Sequence, residues 1–195
     1  MRHIRIGAIK SRVQARDVLL TFGFTALTVL AARTSVHLPF TPVPVTMQTL
    51  AAILAGMLLG SRLGALSQLQ YLALGLAGAP VFANPPHGGP AAVLSPSFGY
   101  IPGFVIGAFL AGWSWEKLGR RGLPNAALAG ALGAAAIYAA GVPWYTGYLM
   151  LTTGRPATEC VVRSWLQSAA PFIGVDAFKV AAAAAIVSRL RLRRP

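Results

Sequence analysis

The sequence predicts an all-α integral membrane protein, a compact bundle of six transmembrane helices forming one domain over residues 1–195. Three observations carry that prediction. Hydrophobic residues make up 55% of the chain and charged residues only 11%, against about 25% charged in soluble domains. No Asp, Glu, Lys or Arg occurs between Leu63 and Trp115. Six apolar runs recur along the chain, the shorter ones able to span a bilayer through local thinning or snorkelling arginines.

The elements follow in order. Residues 1–16 are basic, with Arg2, Arg5, Lys10, Arg12 and Arg16. The first helix is expected over 17–32, Asp17 standing near its positive N-terminal end, where a carboxylate is favoured. A basic segment before an apolar run also suits a signal peptide, but five further spans favour a retained helix. Pro39, Pro42 and Pro44 make 33–45 an extended loop, since proline lacks a donor and biases the residue before it. The second helix is expected over 46–60, a tight turn at Ser61 and Arg62, and the third helix over 63–78. A long Pro/Gly loop at 79–96 keeps its own apolar and aromatic residues, which suits the wall of a binding site more than a connector. The fourth helix is expected over 98–115, a charged turn over 116–122, and the fifth helix from Pro124 to about residue 153 with a kink at Pro143. A second complex loop at 154–170 is expected to hold a short helix, and the sixth span covers 171–189 before the basic tail 189–195.

A net charge of +13 first suggests nucleic acid. The cations instead gather in short segments flanking apolar runs, the pattern of membrane topology. Thirteen of the seventeen Lys and Arg fall on one side of the predicted bundle and three on the other, with Lys179 inside the last span. By the positive-inside rule both termini are expected in the cytoplasm, and the long structured loops outside. Cys160 is the only cysteine, which excludes an intramolecular disulfide and leaves no structural zinc site.

Asp176 and Lys179 are the strongest single signal for chemistry. They stand three residues apart, on one face of a helix and in the otherwise uncharged stretch GVDAFKVAAAAAIV. Ionisable groups in a membrane helix are expensive and usually face a cavity or each other, so the pair is either a ligand contact or a structural lock. The long loop offers Asn84, His87 and Gly88-Gly89, with Tyr100 just beyond it as a cavity wall or part of the interfacial aromatic belt. Trp113, Trp115, Trp144 and Tyr145 are read as belt residues. Gln48 is expected to reach the external cavity and Gln68 to join helices. No GxxxxGK[ST] phosphate loop, HExxH or GxSxG occurs, and Asp17, Glu116, Glu159 and Asp176 are the only acids, so neither ATP hydrolysis nor acid–base catalysis is expected.

At these residues the sequence resembles the BioY family, the biotin-specific S components of energy-coupling-factor (ECF) vitamin transporters. The resemblance rests on FTPVPVTMQTLAAILAGMLLGSRLGALSQLQYLALGLAGAPVFA from Phe40, SPSFGYIPGF from Ser95, GVPW from Gly141, and Pro171, Phe172, Gly174, Asp176 and Lys179. Val175 follows Gly174 where the family usually has the Gly-Asp step directly, and the loop before Gly88-Gly89 is one residue longer. The resemblance implies a six-helix S-component fold, a multi-pass protein of the bacterial plasma membrane, and capture of biotin on the outer face. Biotin contacts are implied at Asp176, Lys179, Tyr100, Gln48 and Phe82, with the loop's polar contact at Asn84 or His87. It also implies a transmembrane T component and cytosolic ATPases as partners, no cofactor of the chain's own, no metal and no nucleic acid. Small residues on the first helix, Thr21, Thr25, Thr28 and Ala32, would form the T-component docking face. The competing readings are an S component for another vitamin, a solitary biotin transporter, and a membrane enzyme acting on a lipid or isoprenoid with Asp176 as base.

Overall fold

A computed structural model describes residues 14–191; the first part of the basic N-terminal segment and the end of the basic tail lie outside the described residues. The described residues form seven α-helices: α1 (Ala15–Arg33), α2 (Gln48–Leu59), α3 (Ser61–Leu76), α4 (Tyr100–Lys117), α5 (Leu123–Thr153), α6 (Ala157–Ser168) and α7 (Ile173–Arg191). A short 3-10 helix, Pro90–Leu94, interrupts the long loop. The stretches expected as helices fall on α1–α5 and α7, and α6 lies in the second loop, where a short helix was expected. By length and composition α1 and α5 can each cross a bilayer, α6 and α7 form an apolar pair bent by 51°, and α2 is a shorter apolar helix.

Local chemistry explains the boundaries. Asp17 Oδ2 accepts the Gln14 backbone N–H at 3.4 Å and so caps α1. The turn between α2 and α3 is shorter than expected. Ser61 and Arg62 already belong to α3, and Gly60 alone reverses the chain at φ +95°, a conformation a side chain would strain. Glu116 of α4 secures this corner, its Oε1 accepting the Ser61 N–H at 3.0 Å and its Oε2 the Ser61 hydroxyl at 3.1 Å. Pro143 lies inside α5, which continues through it to Thr153.

The helices approach closely because small residues line their contacts. Gly56, Gly64 and Gly112 bring α2, α3 and α4 together backbone to backbone. A Cβ on Gly56 would stand 2.0 Å from the Ala108 carbonyl oxygen, and one on Gly112 would stand 2.6 Å from the Gly56 carbonyl oxygen. One apolar core, with Ile53, Met57, Trp115, Ala126 and Val187, fills the end where α4 stops and α5 begins. A second, with Tyr71, Phe82, Phe98, Phe104 and Ile137, fills the opposite half under the long loop.

Two expectations need correction here. Thr21, Thr25, Thr28 and Ala32 are buried within the chain and present no docking surface. Their side of α1 faces α3: Thr25 Oγ1 donates to the Ser67 carbonyl at 2.9 Å, and Gln68 Nε2 donates to Thr28 Oγ1 at 3.1 Å. Hydroxyls facing a neighbouring amide row complete an internal seam, as Gln68 was expected to do. The aromatic belt is also smaller than expected. Trp115 and Tyr145 are buried, Trp115 in the first core and Tyr145 with its hydroxyl donating to Gln167 Oε1 at 2.8 Å, while Trp113 and Trp144 are exposed.

Candidate functional site

A cleft opens at the end opposite the first core, enclosing about 720 Å³ of space with its open mouth included. Three groups of residues build it. The start of α2 and the top of α3 supply Thr46, Gln48, Thr49 and Tyr71. The long loop and the start of α4 supply Phe82, Asn84, Ser97, Phe98 and Tyr100. The third wall, from α5 and α7, carries Ile137, Tyr138, Asp176 and Lys179.

The charged wall is the most constrained part. Asp176 is 7% exposed and Lys179 3%, and Lys179 Nζ donates to Asp176 Oδ1 at 2.6 Å. Tyr138, from the facing helix, donates its hydroxyl to Asp176 Oδ2. Both carboxylate oxygens are therefore engaged, each with a lone pair left over. The ammonium has three N–H donors, and only one has a partner among the described residues. A buried ammonium with two unused donors at a cleft wall is suited to an acceptor oxygen on a ligand. Behind this wall an apolar groove between α5 and α7, lined by Ala127, Ala131, Ala135 and Ala181, reaches the same Asp176 and Tyr138.

Aromatic side chains shape the apolar part. Tyr71, Phe82 and Phe98 meet edge to face in sequence, with ring centroids 5.6 and 6.3 Å apart. Phe98 continues onto Trp144, whose indole N–H reaches the Ser95 carbonyl at 3.1 Å. Tyr100 stands edge-on to Tyr138 and donates its hydroxyl to the Ser168 carbonyl, tying the end of α6 to the cleft.

Asn84 pins the mouth. Its Nδ2 donates to the Pro42 carbonyl at 3.0 Å and to Ser97 Oγ at 2.9 Å, and its Oδ1 faces His37 Nε2 at 2.8 Å. Three segments meet on this one amide, and its remaining capacity is to accept. Gln48 Nε2 donates to the Tyr71 hydroxyl at 2.8 Å, which donates on to the Val81 carbonyl at 3.2 Å.

Of the residues singled out in the sequence, Asp176, Lys179, Asn84, Tyr100, Gln48 and Phe82 all line this one cleft. His87 does not: its Nδ1 faces the Phe82 carbonyl at 3.0 Å and its own carbonyl accepts the Phe82 N–H at 2.8 Å, so it folds the loop that seats Phe82. Sequence reasoning missed Tyr138, Tyr71 and Ser97. Tyr138 had a signal, as the one polar-tipped side chain in the apolar run GALGAAAIYAAG. Tyr71 and Ser97 had none, since their role depends on which segments the loop brings together.

The chain matches the BioY family over residues 7–195. It is 37% identical over 179 residues to a probable biotin transporter BioY of Pyrococcus horikoshii, covering 92% of this chain and 98% of that protein. It is 35% identical over 182 residues to the biotin transporter BioY of Rhizobium etli, covering 88% and 91%. Among solved structures, the S component for biotin from an ECF-type ABC transporter superposes with a TM-score of 0.75 at 26% identity, covering 92% of each chain. Matched from residue 7 to its last residue, and alike in sequence and in helical arrangement, the chain belongs to the BioY family.

Proposed function

We propose that this protein is the biotin-binding membrane subunit of a vitamin uptake transporter, capturing biotin in the cleft and passing it across the membrane with ECF-type partner subunits. The observation that carries this reading is the buried Lys179–Asp176 pair on the cleft wall, with two ammonium donors unused. A ureido ring offers one carbonyl acceptor and two N–H donors, the complement of an ammonium beside a carboxylate. Lys179 donates to the ureido oxygen, while Asp176 Oδ2 and Asn84 Oδ1 accept from N–H groups. The thiophane ring and aliphatic chain lie against Phe82, Phe98 and Ile137.

The site holds and releases its ligand without chemistry. Asp176, the only carboxylate lining the cleft, is already paired, so the protein acts as a transporter and not as an enzyme. The chain crosses the plasma membrane of a bacterium several times as one domain, six spans placing both termini in the cytoplasm and the cleft outside. The partition of Lys and Arg supports that orientation. Energy comes from a T component and cytosolic ATPases, since the sequence carries no phosphate loop.

The experiment is to incubate purified protein with labelled biotin and analyse what it retains. Unchanged biotin, bound saturably, is the expected result. Absence of retained biotin, or its recovery as a converted product, overturns the reading.

A further inference from the structure

The end of the bundle away from the cleft carries an unusual charge arrangement. The start of α1, the α2–α3 turn, the α4–α5 turn and the end of α7 meet there, bringing Arg16, Arg62, Lys117, Arg120, Arg121 and Arg189 to one surface. Only two acids belong to this end, and both serve as internal caps. Asp17 accepts the Gln14 N–H at the start of α1. Glu116 accepts from Ser61 at the start of α3 and pairs with Arg120 at 3.1 Å. Arg16, Arg62, Lys117, Arg121 and Arg189 are exposed and have no carboxylate partner among the described residues.

The cleft end contrasts with this. Arg155 and Arg163 both pair with Glu159, and Arg33 donates to the Pro80 carbonyl. The greater share of cations without a carboxylate partner among the described residues thus lies at the end away from the cleft. Five exposed cations at one end of a membrane bundle, with no deep pocket gathering them, suit the negative charge of a lipid leaflet.

We propose that this rim is a binding surface for anionic phospholipid headgroups, recruiting them into the annulus around the α2–α3 and α4–α5 turns. Each cation near a negative leaflet contributes about 1 kcal/mol, about fivefold in affinity, so removing two should cost about 25-fold.

The test uses the full-length protein in neutral detergent, titrated with phosphatidylglycerol or phosphatidylcholine and read by native mass spectrometry. Wild type is expected to retain phosphatidylglycerol at least about tenfold over phosphatidylcholine, the preference shrinking as ammonium acetate is raised. Arg62→Gln/Arg121→Gln should abolish most of that preference, and Arg155→Gln/Arg163→Gln, an equal charge change at the cleft end, should leave it within about twofold. Biotin retention checks that the variants are folded, and Lys117→Gln/Arg189→Gln carries the same test should the first pair fail to fold. An absence of headgroup preference in wild type, or equal losses from the two double variants, overturns the proposal. Neither result bears on biotin binding, which the opposite end performs.

Discussion

Replacing Asp176 with Asn should separate the ligand role of the charged wall from its structural role. In the wild type Oδ1 accepts from Lys179 and Oδ2 from Tyr138. Asparagine keeps one oxygen, which can stay on Lys179, and turns its amide toward the Tyr138 oxygen, which can accept. The Tyr138 oxygen keeps a partner while its O–H loses its acceptor, and the larger loss falls on Lys179. That ammonium is 3% exposed and loses its counter-charge. Breaking a buried pair from one side costs about 3–5 kcal/mol of stability. A hydrogen bond between a charged group and ligand is worth about 1.5–3 kcal/mol, so biotin affinity should fall between about tenfold and about 150-fold. The assay is biotin titration calorimetry on monodisperse protein, with thermal unfolding in parallel. Asp176→Asn/Lys179→Met supplies the discriminating arm: with both charges gone, much of the stability should return while affinity stays low. Wild-type affinity in Asp176→Asn, or recovery of affinity along with stability in the double variant, would refute the assignment of this pair to the ligand.

Other substitutions test neighbouring parts of the argument. Asn84→Ala removes both a proposed ligand acceptor and the tie across the mouth, and should weaken biotin binding by at least about tenfold, whereas His87→Ala should stay within about threefold in the same titration. Gly56→Ala puts a methyl against the Ala108 carbonyl and should lower stability by about 3 kcal/mol or more, seen as lost monodisperse yield or a lower melting temperature. In a Cys160→Ser background, a cysteine at position 87 should label from outside intact cells and one at position 121 only after permeabilisation; the reverse pattern would invert the proposed topology.

Helix positions were legible because each span is a long apolar run bounded by glycine, proline or cations, and the bounds moved by only about two residues. The charged pair was legible for the same reason: Asp176 and Lys179 have no charged neighbours within the span. The facing direction of α1 was not. Threonine and alanine suit both an outer docking surface and an inner seam, and only the Gln68 and Gln70 row of α3 decides between them. The loop contact was ambiguous in sequence because Asn84 and His87 are both polar and only three residues apart. The fold separates them, turning Asn84 to the mouth and His87 back toward Phe82. Trp115 misled because an aromatic next to a charged turn looks alike whether it faces lipid or core.

The single amide that joins the mouth also has a kinetic consequence. Pro42 and His37 belong to the loop between α1 and α2 and Ser97 to the end of the long loop, and Asn84 ties these two stretches to one another. Entry and exit of a ligand then share one barrier. Loosening that joint without touching the cleft lining, as in His37→Ala, should accelerate association and dissociation in parallel, leaving the equilibrium constant nearly still while the residence time shortens.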